Sequence, residues 1–239
     1  MTNPFHFKQF SIFQEKSTMK VGTDGILLGA WAGSGEVQAV LDIGVGTGLI
    51  ALMLAQRTVK AAIHGVEIEE ESFLQAQENI NKSPWSDRVE VHHTSIQDFA
   101  KESNLNFDLI VSNPPFFSGG TFSDSNQRNN VRHTVKLPHG DLLLSVRRLL
   151  AKDGRFCLIL PYIEGLRFCE VAETYNLFCI KAQEVLPKID KPVERLLMEF
   201  GTIKPNKCQK LKPLIIQKGE VNDWTSDFID LTKDFYLKM

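Results

Sequence analysis

Ser112-Asn113-Pro114-Pro115-Phe116 is the segment whose residue types and order could do chemistry. An amine attached to an aromatic ring gives its lone pair to the ring and is a poor nucleophile. The Asn113 side-chain oxygen and the Pro114 carbonyl can accept its two hydrogens. Such bonds favour a pyramidal nitrogen whose lone pair is aimed at an electrophile. Pro115 locks φ, and Asn113, standing before a proline, is biased toward extended backbone, so the acceptors are held rigidly. Phe116 can stack on a base once it is extruded. Taken alone the tetrapeptide is equally a proline-rich turn. Its position directly after a strand-like Phe107–Val111 favours chemistry, because open α/β sheets bind ligands there. With a good electrophile no strong base is needed, so positioning and electrostatics would supply the rate. No histidine is nominated.

A second group lies upstream. Leu41-Asp42-Ile43-Gly44-Val45-Gly46-Thr47-Gly48 reads as a strand running into a glycine turn and then a helix. Glycine is needed where φ is positive or where a ligand approaches bare backbone. A dinucleotide fingerprint would require a small residue at position 49, where this chain has Leu49, and the Lys-Ser/Thr of a P-loop is absent. The Gly44, Gly46, Gly48 spacing instead resembles the first motif of Rossmann-like methyltransferases, whose cofactor has no pyrophosphate. Glu67 ends the next strand 23 residues after Gly44, where an acid can accept from both ribose hydroxyls. A solvated strand-end carboxylate is the plainer alternative. Asp42 either touches ligand or orders the glycine turn.

The elements that must position these groups alternate along the chain. Strand-like Val40–Ile43, Ala62–Glu67, Val89–His92, Phe107–Val111 and Arg155–Leu160 are interleaved with helical patterns at Thr47–Arg57, Glu70–Asn81 and Leu142–Leu150. That alternation predicts a parallel sheet with helices on both faces. Beyond Asn176, the runs Leu177–Leu186 and Val193–Gly201 flank a Pro187–Pro192 turn, which predicts an antiparallel hairpin closing the sheet. One domain is expected over 1–239: a cofactor-side extension of short strand and helix (1–38), a core (39–175), and a hairpin with an aromatic tail, Asp234-Phe235-Tyr236-Leu237, docked on the body (176–239). Residues 117–136 are polar and lack periodicity, as functional or mobile loops do.

Composition narrows the class. Hydrophobic content of 43% and charged content of 23% are ordinary for a globular protein. No apolar run is long enough for a signal peptide or a membrane span, so the cytoplasm is expected. Net charge is −2 and the pI about 6.3, so nucleic acid would have to be met by a local patch. Arg128, Arg132, His133 and Lys136 form one candidate for RNA phosphates, and Lys204, Lys207, Lys210 and Lys212 a second; each could equally be a solvated loop. The four cysteines contain no C-x-x-C pair and read as buried thiols, and the six histidines form no H-E-x-x-H pattern, so no metal site is expected.

Together these residues resemble the amino-methyltransferases with an N/D-P-P-Y/F signature, which act on DNA adenine, rRNA guanine and protein glutamine. Phe7-Lys8-Gln9-Phe10, the segment Met19-Lys20-Val21-Gly22-Thr23-Asp24-Gly25 through Trp31, and the closing aromatic tail are similar to the bacterial valine-tRNA adenine-N6 methyltransferases, over nearly the whole chain. Those enzymes modify the adenosine beside the anticodon. The resemblance implies S-adenosylmethionine as cofactor and tRNA as partner; the sequence leaves the oligomeric state open, with a monomer as the expectation. It implies a Rossmann-like sheet of seven strands in the order 3-2-1-4-5-7-6 with the seventh antiparallel. It places Lys20 and Thr23 beside the cofactor, and Asp98, followed by Phe99, at the cofactor's adenine; Asp98 could otherwise cap a helix and Lys20 be a surface charge. Phe116 stands where many adenine methylases carry tyrosine. The rivals are methylation of rRNA guanine N2 or of protein glutamine, and a non-catalytic RNA-binding module. The 38 residues before Ala39 are too few for the helical domain of the glutamine enzymes, and no duplicated domain occurs.

Overall fold

The computed structural model describes residues 3–17, 20–115, 137–220 and 222–238. The chain opens with β1 (Phe5–His6) and β2 (Ser11–Ile12), paired antiparallel, and α1 (Thr23–Trp31). The alternating unit follows: β3 (Ala39–Ile43), α2 (Leu49–Arg57), β4 (Ala62–Glu67), α3 (Glu70–Asn81), β5 (Val89–His93), α4 (Ile96–Glu102), β6 (Phe107–Ser112), α5 (His139–Leu149), β7 (Leu150–Pro161) and α6 (Tyr162–Thr174). The last part is β8 (Phe178–Lys188), β9 (Arg195–Gly201), β10 (Gln209–Lys210), β11 (Leu214–Gln217) and α7 (Ser226–Thr232).

Among the described residues, nine strands form one sheet in the order β10-β8-β9-β7-β6-β3-β4-β5, with β11 also on β8. From β5 to β8 this is the 3-2-1-4-5-7-6 order, and β9 alone runs antiparallel to its neighbours. The two strands beyond the expected seven come from the tail: β10 and β11 pair in succession along β8, at Lys181–Ala182 and at Val185–Lys188. They cover backbone that would otherwise be an open edge. They are too short to leave a period in the sequence.

The central strands bury both faces, as parallel strands flanked by helices must. Val40, Ile63, Leu109, Val111 and Ile159 meet α1, α2 and α3, while Leu41, Ile43, Val66, Ile110 and Leu158 meet α4, α5 and α6. Helix α2 is buried all round from Leu49 to Ala55 because α1 lies against its outer side. That approach depends on α1 glycines: a Cβ at Gly29 would stand 2.7 Å from Met53 Sδ, and one at Gly25 3.1 Å from Leu49. Arg57 then caps α1, donating to the carbonyls of Gly29 (2.8 Å) and Ala32 (2.6 Å).

The aromatic tail docks against the first strands. Phe235 is buried, Tyr236 bridges to Phe7, and Lys8 N donates to Phe235 O at 2.8 Å. The reading of the cysteines as buried holds for Cys157 only; Cys169, Cys179 and Cys208 are half-buried, with Cys179 and Cys208 Sγ 3.4 Å apart. Cys169 and Cys179 pack at the margin of the core from α6 and β8, and Cys208 lies in the loop before β10 between Lys207 and Gln209. Among the described residues no helix is long and apolar enough to cross a membrane.

Candidate active site at the strand tips

Three strand ends set the site. Ile43 pairs with Val66 on one side and with Ser112 on the other. The residues that follow, Gly44, Glu67 and Asn113, therefore leave the sheet at the same level, on adjacent strands. Strand order reverses here, with β4 on one side of β3 and β6 on the other, which is where such sheets open a crevice. Ser112, not singled out in its own right from the sequence, ties two of these tips together: its buried hydroxyl donates to Ile43 O at 2.9 Å.

The glycine turn has the conformation its composition demands. Gly44, Gly46 and Gly48 have φ of +73°, +56° and +84°, a region that L side chains rarely adopt. A Cβ at Gly44 would meet nothing within 4 Å, and one at Gly46 only Gly44 O at 3.9 Å, so the turn presents bare backbone to open space. The N–H groups of Gly44 and Val45 donate to Val66 O at 2.9 and 3.1 Å, binding the turn to the end of β4.

Glu67 completes that link. One carboxylate oxygen accepts from Gly46 N at 2.9 Å; the other accepts from Ile68 N and Glu69 N, both at 3.0 Å. A carboxylate offers about four acceptor positions, so roughly one is left for a ligand hydroxyl. Asp42 lies beneath the turn, 1% exposed. One of its oxygens accepts from Ala51 N at 3.1 Å and the other has no partner. Burial pushes its carboxyl up to about 7, against the lowering effect of the Ala51 hydrogen bond and with a smaller upward contribution from the Glu67 charge. Asp42 thus orders the start of α2 as an acid that is about half protonated near neutral pH.

Asn113 is half-buried, Pro114 buried and Pro115 exposed. Among the described residues, neither the Asn113 side chain nor the Pro114 carbonyl is engaged in a hydrogen bond. Two acceptors are held by proline-restricted backbone, and no described residue takes them, as the capture of an amine requires. Phe116, Arg128, Arg132, His133 and Lys136 lie outside the described residues.

Most of the remaining positions have partners of their own, and Asp98 follows the end of β5, where His93 pairs with Glu67. Asp98 sits in the first turn of α4, which Ser95 caps: Ser95 Oγ accepts from Asp98 N at 3.0 Å and donates to its carboxylate at 2.7 Å, while Lys101 adds an ion pair at 2.9 Å. The Ser95 hydroxyl first, and Lys101 second, hold the Asp98 carboxyl below the usual range. Phe99 is buried against His92 and Phe107. Lys20 is exposed and donates to Gln14 O; Thr23 is the exposed first residue of α1, next to Asp24, which pairs with Arg195 at 2.8 Å. Lys204 pairs with Glu173 and stands over Phe178, at the start of β8. Because β8 runs in the same direction as β6 and β7, Lys204 is at the opposite end of the sheet from Asn113. Lys212 is paired with Asp227. A cavity of about 610 Å³ between α6 and residues 204–213 has neither the glycine turn nor Asn113 in its wall.

Comparison with known proteins agrees with this geometry. The methyltransferase small domain model matches residues 17–159. The tRNA1(Val) (adenine(37)-N6)-methyltransferase of Parabacteroides distasonis is 42% identical over 240 residues, covering 100% of both chains. That of Trichodesmium erythraeum is 44% identical, covering 99% of this chain and 98% of its own. Among solved structures, a predicted O-methyltransferase from Agrobacterium tumefaciens superposes with a TM-score of 0.69 at 17% identity, over 89% of this chain and 96% of the other. TrmK of M. capricolum, solved with S-adenosyl-homocysteine, gives 0.53 at 13% identity, over 78% and 70%. At these identities the two structures speak to the fold alone.

Proposed function

Because the chain belongs to the tRNA1(Val) (adenine(37)-N6)-methyltransferase family, within the methyltransferase small domain group, we propose that it methylates N6 of the adenine at position 37 of a valine tRNA. It is an S-adenosylmethionine-dependent enzyme. The residues present fit that cofactor: bare glycine backbone faces open space, Glu67 keeps one acceptor position, and both stand level with Asn113. When bound, S-adenosylmethionine supplies an electrophilic methyl group on a sulfonium.

The chain's own residues do the rest. Glu67 and the glycine turn hold the ribose end, and Asp42 fixes the turn from below. Asn113 Oδ1 and Pro114 O accept the two hydrogens of the adenine amine, which withdraws the nitrogen lone pair from the ring and aims it across the crevice. The surplus proton leaves after transfer, so no side chain has to act as a strong base. We assign base stacking to Phe116, and phosphate contacts to Arg128, Arg132, His133 and Lys136, from residue type alone. Asp98 and Phe99 are assigned to the adenine end of the cofactor, and Lys20 and Thr23 to its methionine side.

The observation that carries this reading is the shared level of Gly44, Glu67 and Asn113 on adjacent strands; among the described residues no hydrogen-bond partner takes the acceptors at Asn113 and Pro114. The test is methylation of total tRNA with labelled cofactor, followed by nucleoside analysis. Label in N6-methyladenosine of a valine tRNA is the expected result. Label in another nucleoside, or only in protein, refutes it.

A further inference from the structure

His64, Glu90 and His92 share one face of the β4–β5 edge, on the side of the sheet that carries α4. Glu90 and His92 alternate along β5 and so point the same way. His64 is opposite Glu90 in register and one step diagonal from His92. The two rings lean toward each other along the strands, stacked within 13°, with His64 Nδ1 3.1 Å from His92 Nε2. The Glu90 carboxylate stands 3.9 Å from His64 Nδ1 and 4.0 Å from His92 Nδ1. One potential ligand atom from each residue falls within 4.8 Å of the other two, a combination found at this place alone among the described residues.

We propose that these three residues form a binding site for a divalent transition metal of the zinc class. Imidazole nitrogens bind such an ion at about 2.0–2.1 Å, which at tetrahedral angles sets them about 3.3 Å apart, close to the observed spacing. Two imidazoles and one carboxylate select zinc, copper, nickel or cobalt over magnesium or calcium, which prefer all-oxygen sites. The cation takes the place of the proton now shared between the rings. His64 then carries its proton on Nε2 and His92 on Nδ1. Glu90, 68% exposed at its side chain and 3.9 Å from His64 Nδ1, is free to rotate toward the ion. The ring positions are already set: Phe107 packs edge-on against His64 and Phe99 tilts against His92. Solvent completes the coordination on the exposed side. The ion would cross-link the sheet's edge strand to its neighbour and fix His92 against Phe99, at the start of the segment that carries Asp98. The spacing of 26 residues between His64 and Glu90 hides this cluster from any local motif.

The test uses the full chain, stripped with a chelator and titrated with Co²⁺ followed by visible absorption, then with Zn²⁺ as competitor. One ion per chain with nitrogen–oxygen ligation is expected. His64→Gln and His92→Gln should each weaken Zn²⁺ binding at least about tenfold while circular dichroism is unchanged. Glu90→Gln, at an exposed position that does not endanger folding, should also weaken it by at least about tenfold. The half-buried thiols of Cys169, Cys179 and Cys208 are the competing ligands. A Co²⁺ spectrum with thiolate charge transfer that survives in Glu90→Gln and disappears in Cys179→Ser overturns the proposal. Absence of binding by the wild type, or unchanged affinity in Glu90→Gln, overturns it equally.

Discussion

Replacing Asp42 by asparagine should make the protein more stable at neutral pH and leave its stability unchanged in mild acid. Asp42 is 1% exposed, one of its oxygens has no partner, and its carboxyl is pushed up to about 7. In the unfolded chain the same group titrates at roughly 4. Between these two values the folded state binds more protons than the unfolded state, so the contribution of Asp42 to stability is intact below about pH 4 and is lost as the pH rises to about 7. Each pH unit of that gap is worth about 1.4 kcal/mol, so the loss approaches about 4 kcal/mol. Asparagine retains an oxygen to accept from Ala51 N and carries no charge to desolvate. Urea denaturation of both proteins across about pH 4–8 isolates the effect, because the carboxylates of Glu78 and Asp98, which shift downward, contribute alike to both. The difference should grow in the variant's favour from about pH 4 to about pH 7 and level off above it. Parallel stability curves would refute the reasoning, and would mean that Asp42 is ionised and solvated where it stands.

Asn113→Ala should fold and bind S-adenosyl-homocysteine normally yet lose about a hundredfold or more in single-turnover methylation of tRNA, since its side chain is engaged with no other described residue; near-normal rates would end the catalytic assignment. Glu67→Gln sets an amide group against backbone donors at Gly46 or at Ile68 and Glu69, and should cost about 2–3 kcal/mol in stability and weaken cofactor binding. Calorimetry and thermal melts check it, and unchanged values would remove Glu67 from the site. Arg128→Ala combined with Arg132→Ala should weaken tRNA binding and flatten its salt dependence while leaving cofactor affinity alone; identical affinities across a salt series would count against an RNA role for these arginines.

The central architecture was legible because its signals are local. A buried parallel strand, a positive-φ glycine turn and a strand-end acid each occupy a few consecutive residues, so Val40–Ile43, Gly44–Gly48 and Glu67 could be placed from order alone. Asn113 was legible for the same reason, since proline restricts the backbone on which it stands. What escaped depends on partners far away in sequence. Strands β10 and β11 are two and four residues long and exist only because the edge of β8 is there to receive them. Gly25 and Gly29 read as ordinary helix residues until α2 is placed against them. Asp98 shows how one pattern serves two readings: at the start of a helix, a serine three residues before an acid can cap the helix, while the acid can equally face a ligand. Its carboxylate is engaged by Ser95 and Lys101 in this structure.

The contact between the first strands and the aromatic tail also has a timetable. Lys8 donates to the carbonyl of Lys233, 225 residues later, and Phe7 bridges to Tyr236. A ribosome adding about 5–20 residues per second needs roughly 10–45 s to deliver that partner. Throughout that interval Phe5, Phe7 and Phe10 have been made while Phe235 and Tyr236 have not. The segment that leads into Lys20 and Thr23 can meet Trp85 and Asn79 much earlier, through Phe10 and the backbone of Phe13. During synthesis its tail-facing side is therefore the last part of its surface to be covered.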